Sequence, residues 1–208
     1  MTHGTGASSH RTGWPHGPGR RRRGWLAGVA LATAAVVLAG TWAVKRSGPP
    51  PPSTSDASAA TASWVGLDGR VGPLAQLRGQ GVLVWFVANG CVSCAASVPV
   101  VAQHLGAFSR AGTRVLALGI YGAFGDGPGA RHALADFAKA AAGPAWANPA
   151  WTWGLASERL TQALDPGGVP DAYVLLDASG KVAYRNSIPV TTMDSLLAHL
   201  PAGAGRPR

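Results

Sequence analysis

The amino-acid sequence predicts an α/β domain with a mixed central sheet flanked by helices, preceded by one transmembrane helix. Three observations support this fold class. Residues 81–87 and 113–120 are apolar runs rich in β-branched residues, typical of strands buried on both faces. Segments with helical spacing of apolar residues alternate with these runs, and a hairpin signal follows. Near the amino end, an uncharged run has the length of a membrane span.

The net charge of +9 belongs to the ends of the 208-residue chain. Residues 1–46 hold seven Lys/Arg and no acid, whereas residues 64–200 hold nine Lys/Arg and eight Asp/Glu. The sequence therefore supports no basic face for nucleic acid in the folded part. Two cysteines are also too few for a disulfide-stapled small protein or a four-ligand structural zinc site.

The amino-terminal region predicts a membrane anchor. Residues 1–24 form a basic arm, and residues 25–44 carry no charge, with Trp25 and Trp42 near the two ends of this run. The arginines before the run place the amino end in the cytoplasm and the rest of a single-pass protein outside the cell membrane. The competing interpretation is a cleaved secretory signal, which would leave the domain secreted. Both interpretations export the carboxyl-terminal part.

The rest of the chain divides into three parts. Residues 45–63 are rich in Pro, Ser and Ala, including four consecutive prolines, and predict a stiff tether. Residues 64–200 predict the folded domain. Residues 201–208 predict a disordered tail.

The elements of the domain follow from periodicity and turn signals. Asp68-Gly69-Arg70 predicts a turn between short extended pieces, before the strand at residues 81–87. Helices are expected at residues 94–109, where Pro99 should introduce a kink, and at 130–142 and 155–164. Strands at residues 173–177 and 181–185 flank Ala178-Ser179-Gly180 as a hairpin, and Thr191-Thr192-Met193-Asp194 predicts the start of a last helix with a capping-box-like pattern.

Cys91 and Cys94 are the candidate reactive residues. They are the two cysteines of the chain, and they follow a buried strand at the start of a predicted helix. Backbone N–H groups and the positive dipole end of a helix stabilise a thiolate, so the first cysteine is expected to be nucleophilic. A second cysteine one turn later can resolve a mixed disulfide. Half of a metal site and an inert local disulfide remain alternatives, while haem attachment would need a His where Ala95 stands.

Three segments resemble a known family. Residues 82–94 are similar to the strand–CxxC–helix unit of thioredoxin-fold proteins. Residues 67–79 resemble the lead-in of the membrane-anchored TlpA/ResA-like thiol–disulfide oxidoreductases. Residues 168–182, which begin Gly-Val-Pro, resemble that family's cis-proline loop and following hairpin. The resemblance covers about residues 64–200 and implies a thioredoxin-like fold.

The resemblance also implies roles for individual residues. Cys91 would be the attacking thiol and Cys94 the buried resolving one. Pro170 would be a cis-proline facing the pair, and Val169 would offer backbone groups to an extended substrate strand. No cofactor is implied beyond the redox-active Cys91–Cys94 disulfide.

The chain departs from the family pattern at residues expected to tune the redox chemistry. Trp85 stands where thioredoxin has a buried acid, so the usual proton acceptor is missing there. Gly90 replaces the usual Trp before the first cysteine, and Val92-Ser93 is neither Gly-Pro nor Pro-Pro. Three aspartates are candidate bases but are also typical turn or cap residues: Asp165, Asp171 and Asp177.

Weaker candidates have structural interpretations. His104 is expected to be structural or exposed, and the three tryptophans Trp146, Trp151 and Trp153 are expected to pack in the core. Residues 125–129 predict a flexible loop, since no Lys-Ser/Thr follows as in a phosphate-binding loop.

The sequence thus predicts an extracytoplasmic enzyme that exchanges disulfides with exported proteins. The resemblance implies reduction of apocytochrome c or other exported proteins, with electrons from a membrane carrier; oxidation of exported proteins uses the same dithiol. One alternative is a thiol peroxidase, which expects Pro and Thr where Val84 and Ala88 stand. Another is a non-catalytic, membrane-tethered docking module.

Overall fold

The computed structural model describes Ala59 and residues 61–201. The predicted basic arm, the transmembrane segment, most of the linker and all but the first residue of the tail lie outside the described residues. Within the described part, Ala59 and Ala62 are already buried, ahead of the first strand.

The described residues form one mixed sheet of seven strands. They are β1 (Ser63–Gly66), β2 (Val71–Pro73), β3 (Gly81–Val87), β4 (Thr113–Gly119), β5 (Trp151–Ala156), β6 (Ala172–Leu176) and β7 (Val182–Ser187). The order in the sheet is β2–β1–β5–β4–β3–β6–β7. β4 runs parallel to both β3 and β5, and the other neighbouring pairs are antiparallel. The predicted mixed sheet and carboxyl-terminal hairpin are confirmed.

Within residues 63–201, four α-helices connect and cover the strands: α1 (Val92–Arg110), α2 (Gly127–Ala142), α3 (Glu158–Leu164) and α4 (Pro189–Ala198). Two 3₁₀ segments, Leu74–Leu77 and Gly143–Ala147, complete the regular structure of this range. The helices predicted at 94–109 and 130–142 are confirmed, with starts two or three residues earlier than expected.

The core forms two layers because side chains alternate across the sheet. On one face, Leu83, Trp85 and Val87 of β3 pack with buried residues of α1, α2 and α4. On the other face, Val82, Val84 and Phe86 pack with α3 and the first 3₁₀ segment. All seven residues of β3 are buried, as the continuous apolar run predicts for a central strand. Trp85 therefore lies in the same layer as the helix that carries Cys94.

β5 is a strand that the sequence analysis did not predict. The expected helix at 155–164 was wrong at its start, because residues 151–156 pair with β4 on one side and β1 on the other. Trp151 and Trp153 are both buried, with ring centroids 5.0 Å apart in an edge-on arrangement. The helix itself begins at Glu158, where the Ser157 side chain caps it by accepting the Leu160 N–H at 3.2 Å.

The last helix begins at Pro189 rather than at Thr191, so the capping-box prediction was wrong. The N-cap residue is Ile188, and proline at the first helical position has the backbone angle that a helix requires. The hydroxyls of Thr191 and Thr192 donate to the Ile188 carbonyl at 3.0 and 3.1 Å. These threonines therefore bond back to the cap residue instead of capping the helix.

α1 is also the one helix of residues 61–201 that is long and apolar enough to cross a membrane. It runs without interruption through Pro99, and its buried side chains pack in the core of the domain: Cys94, Ser97, Val98, Val101, Leu105 and Phe108. That burial is typical of a core helix.

Two glycines test the strand assignment of β5. A Cβ at Gly154 would lie 2.6 Å from the Val65 carbonyl oxygen of the paired strand β1. We expect Gly154→Ala to lower the free energy of unfolding by about 1–3 kcal/mol, measured by urea denaturation. Gly129 in α2 has open space around its Cβ position, so Gly129→Ala should keep or raise stability, by up to about 1 kcal/mol. Equal stability of the two variants would contradict the β1–β5 pairing.

Candidate active site at the start of the first helix

The two cysteines lie where β3 has ended and α1 begins. Cys91 is the N-cap residue of α1, and Cys94 lies in its first turn. Unpaired backbone N–H groups and the positive end of the helix dipole favour negative charge at this position. The predicted placement of the pair at a helix N-terminus is confirmed.

Cys91 and Cys94 are joined by a disulfide, with 2.11 Å between the sulfurs and 5.3 Å between the Cα atoms. Cys94 is fully buried, whereas Cys91 is partly exposed. The Cys91 sulfur accepts the Cys94 backbone N–H at 3.1 Å and lies 3.4 Å from the Ser93 hydroxyl oxygen. After reduction, these donors would stabilise a thiolate on Cys91. Cys91 is thus the sulfur of the pair that a second molecule can reach.

The residues beside Cys91 leave its sulfur open on one side. Gly90 has a φ of 71°, in the left-handed region that favours glycine, and nothing lies within 4 Å of its Cβ position. This backbone conformation favours glycine at position 90 over any residue with a Cβ. Val92 is 83% exposed, although it is apolar. An exposed valine and an open glycine therefore flank the reactive sulfur.

The loop before β6 does not have the expected cis-proline. All peptide bonds of the described residues are trans, including that between Val169 and Pro170, so this expectation was wrong. The chain turns instead through left-handed backbone at Gly168 (φ 56°) and Asp171 (φ 69°). The Val169 carbonyl accepts the Ala172 N–H at 3.2 Å. One backbone group expected to meet a substrate strand, the Val169 carbonyl, is therefore engaged within the chain.

Asp171 is the functional candidate that sequence reasoning did not single out. It is fully buried, and one carboxylate oxygen accepts the Trp85 indole N–H at 2.8 Å. The other oxygen accepts the Ser97 hydroxyl at 3.0 Å, and Ser97 lies one turn after Cys94 in α1. A buried tryptophan N–H normally needs an acceptor, so Trp85 in a buried strand was the signal that a polar partner lay nearby.

The charge of Asp171 is costly in this position. Burial raises the pKa of Asp171 above its ordinary value, although hydrogen bonds with Trp85, Ser93 and Ser97 act to lower it. The Ile188 N–H donates to the Asp171 carbonyl at 2.9 Å, and these two are the non-glycine residues with left-handed backbone in the described chain. The N-cap residue of α4 is therefore bonded directly to the backbone of Asp171.

The other two candidate aspartates, Asp165 and Asp177, lie in turns or at a helix end. Burial raises the pKa of Asp165, although the Val169 N–H and the charge of Arg185 act to lower it. Asp177 lies in the hairpin, where its side chain accepts the backbone N–H groups of Ser179 and Lys181. Although its partial burial acts to raise it, these bonds and the Ser179 hydroxyl hold the pKa of Asp177 below its ordinary value. The turn interpretation of Asp177 is confirmed.

The weaker candidates lie apart from the disulfide. The His104 ring nitrogen Nδ1 bonds the Val100 carbonyl within α1, at 2.8 Å. Trp151 and Trp153 pack in the core as expected, whereas Trp146 is partly exposed, with the Lys139 ammonium 5.1 Å from its ring centre. The flexible loop predicted at residues 125–129 was wrong in its second half, because residues 127–129 belong to the first turn of α2 and Asp126 is its N-cap residue.

The domain is similar to several solved structures. A thioredoxin-like protein from Aeropyrum pernix is 20% identical, with a TM-score of 0.51 over 67% of this chain and 89% of that one. A secreted disulfide oxidoreductase of Mycobacterium tuberculosis, homologous to DsbE of E. coli, is 19% identical, with a TM-score of 0.51 over 68% and 95%. Peroxiredoxin Q of Xanthomonas campestris is 19% identical, with a TM-score of 0.52 over 69% and 92%. No protein-family model and no curated protein sequence matches the chain. The domain has a thioredoxin-like fold.

The raised pKa of Asp171 predicts how stability depends on pH. Between its unfolded-state pKa and its higher folded-state pKa, the folded protein binds more protons than the unfolded chain. The free energy of unfolding should therefore fall as the pH rises through this window, starting near pH 4. Asp171→Asn should make the fall shallower, because the amide does not titrate. Urea denaturation at a series of pH values measures the slope.

Two further aspartates calibrate this measurement. Asp165→Asn should remove a separate share of the fall, since the pKa of Asp165 is also raised. Asp177→Asn should not reduce this fall in the free energy of unfolding with rising pH, because the pKa of Asp177 is lowered in the folded protein. A slope in Asp171→Asn equal to that of the unaltered protein would mean that Asp171 titrates alike in the folded and unfolded states.

Proposed function

We propose that this protein is a thiol–disulfide oxidoreductase that exchanges disulfides with other proteins through Cys91 and Cys94. The observation that carries the proposal is the disulfide at the N-terminus of α1, with one sulfur partly exposed and the other fully buried. This asymmetry assigns different roles to the two sulfurs. Only Cys91 is open to a client, while Cys94 is placed to attack Cys91.

The reaction balances without any further group. In the reducing direction, the Cys91 thiolate attacks a client disulfide, forms a mixed disulfide and releases one client thiolate. The Cys94 thiolate then attacks the Cys91 sulfur, which closes the Cys91–Cys94 disulfide and releases the second client thiolate. Two electrons pass from the protein to the client. The reverse sequence oxidises a client dithiol.

Two features of the site favour protein clients. Val92 is 83% exposed beside Cys91 and Val169 is 50% exposed on the loop before β6, so apolar side chains are presented to solvent. Such surface is suited to unfolded or extended segments, which expose apolar side chains themselves. A client strand that pairs with the Val169 carbonyl would have to displace its hydrogen bond from the Ala172 N–H.

The cellular setting of the proposal comes from the sequence. The predicted anchor at residues 25–44 would tether the domain on the extracytoplasmic side of the membrane, where disulfides persist. Exported proteins would then be the clients, with apocytochrome c the one implied by the family resemblance. A reductase in this place needs electrons from a membrane carrier, whereas an oxidase must be reoxidised.

The direction of exchange depends on the reduction potential of the pair. Related proteins span roughly −270 to −120 mV, and the residues between the cysteines tune thiolate stability. Here Val92 is exposed, and the Ser93 hydroxyl lies 3.4 Å from the Cys91 sulfur. Equilibration with glutathione measures the potential: a value near the lower end favours a reductase, and one near the upper end favours an oxidase.

A thiol peroxidase is the second candidate, because the fold is shared with peroxiredoxin Q. The residues that a peroxidase expects as Pro and Thr are Val84 and Ala88, both buried and apolar. Ala88 provides no hydroxyl for binding peroxide, so disulfide exchange is the better fit. Rapid hydrogen peroxide consumption that is lost in Cys91→Ser would reverse this preference.

Trapping tests the assigned roles. Cys94→Ser removes the resolving thiol, so the reduced variant should accumulate a mixed disulfide with oxidised insulin through Cys91, seen on a non-reducing gel. We expect most of the variant to be trapped, and dithiothreitol should release the insulin.

The matched control is Cys91→Ser, which keeps the buried Cys94 and should form little adduct because that sulfur is fully buried. Equal trapping through either cysteine would contradict the assigned order of attack. Absence of adduct from Cys94→Ser, with no exchange by the unaltered protein, would favour a non-catalytic docking module.

A further inference from the structure

A groove in the domain has no part in the proposed disulfide exchange. It has a volume of about 510 Å³ and is lined by residues of β2, β1, β5 and the second 3₁₀ segment. The cysteines follow β3, and β4 lies between β3 and β5 in the sheet. Neither Cys91 nor Cys94 lines the groove. The groove is therefore a second concave surface, separate from the disulfide.

Aromatic and apolar side chains line this groove. Trp64 of β1 and Trp146 of the second 3₁₀ segment are both partly exposed, and Val71 of β2 is 68% exposed. The Trp64 ring lies over Gly154, where a Cβ would be 2.8 Å from the ring. Glycine at this position therefore leaves room for the ring on the sheet. Exposed aromatic surface of this kind is typical of a binding site.

The indole groups of the groove differ in their hydrogen bonding. Trp151 donates its N–H to the carbonyls of Ala145 and Trp146, at 3.0 and 3.2 Å. The N–H groups of Trp64 and Trp153, in contrast, are shielded from water and have no partner among the described residues. A buried tryptophan N–H normally has an acceptor. We therefore expect an occupant of the groove to supply hydrogen-bond acceptors.

The segment that precedes the described chain has this chemistry. Residues 50–58 begin with three consecutive prolines. Each proline has a carbonyl acceptor and no N–H donor, whereas an indole has an N–H donor and no acceptor. A run of prolines is already ordered as polyproline II, and aromatic-lined grooves bind such segments. The prolines and the tryptophan groove are therefore complementary in shape and in hydrogen bonding.

The length of the segment allows it to fold back onto the groove. Ala59 and Ala62 belong to the buried cluster against which Trp64 packs, so the chain enters the domain on the same face of the sheet. Pro52 precedes Ala59 by seven residues, which span up to about 23 Å when extended. Three neighbouring strands cover about 10 Å, and three prolines in polyproline II cover about 9 Å. The prolines can therefore cross β2, β1 and β5.

We propose that residues 50–58 dock in this groove, with their prolines against its tryptophan rings. The inference goes beyond the proposed function and does not depend on it. In the docked state the partly exposed Trp64 ring turns its N–H to a proline carbonyl. The segment carries one charge, Asp56, and the charged groups at the rim, Asp68 and Arg70, pair with each other at 3.5 Å. The contact is therefore apolar and hydrogen-bonded rather than ionic.

The test is an NMR comparison of the full chain in detergent micelles, with isotope-labelled indole nitrogens. The triple variant Pro50→Ser/Pro51→Ser/Pro52→Ser should shift the Trp64 indole resonance, because the ring loses its neighbours and its acceptor. Exchange of that N–H with water should become about tenfold faster or more. The Trp85 N–H is bonded in the core and is the internal reference, which should not move.

The matched control changes three other residues of the same segment. Ser53→Ala/Thr54→Ala/Ser55→Ala keeps the prolines and should keep the Trp64 resonance of the unaltered protein. The resonance is assigned through contacts of the Trp64 ring with the Gly154 protons, so no variant within the folded domain is needed. An unchanged Trp64 resonance in the proline variant would overturn the proposal.

A synthetic peptide of residues 50–58 gives a second measurement. Added to the proline variant, it should return the Trp64 resonance toward its original position in a saturable titration. It should bind the unaltered protein about tenfold more weakly or less, because the attached segment competes at a high effective concentration. A Trp64 resonance that depends on protein concentration would assign the groove to a second copy of the chain. Equal binding of the peptide to both proteins would show that the groove is open to another protein. Either result would overturn the proposal.

Discussion

The buried hydrogen bond between Trp85 and Asp171 holds the site together, because it joins β3 to the loop that leads into β6. A carboxylate with no exposed surface is destabilising unless its oxygens are bonded, and here both oxygens have a donor. One donor comes from the sheet and the other from the helix of the cysteines. Sheet, loop and helix are therefore fixed relative to one another at the place where the Cys91–Cys94 disulfide lies.

The asymmetry of the disulfide follows from the same arrangement. The buried side chains of α1 pack on the layer that contains Trp85, and Cys94 is one of these side chains. Cys91, in contrast, lies at the N-cap of the helix and stays partly exposed. The Cys94 backbone N–H bonds the Cys91 sulfur, and Ser97 of the same helix donates to the buried Asp171 carboxylate.

Local pattern predicted much of the fold and less of the site. Three features could be recognised from short windows of sequence, because continuous apolar runs or turn residues mark them. They are the buried strands, the helix after the cysteines and the hairpin. β5 was missed because Trp151 and Trp153 pair with two other strands, and pairing is not visible in a short window. Asp171 was considered only as one of three aspartates, because its partner Trp85 lies 86 residues away. The resemblance, in turn, implied a cis-proline that the loop does not have.

The loop before β6 shows how the chain accommodates its carboxylate. Asp171 and Ile188 both adopt left-handed backbone, which costs of the order of 1–3 kcal/mol for each non-glycine residue. Such conformations persist only where surrounding bonds hold them, and here the Phe86 carbonyl accepts the Asp171 N–H while the Asp171 carbonyl accepts the Ile188 N–H. This backbone turns the side chain of Asp171 toward Trp85 and Ser97 instead of toward solvent. At this contact the strand β3 supplies the N–H donor, Trp85, and the loop before β6 supplies the carboxylate, Asp171.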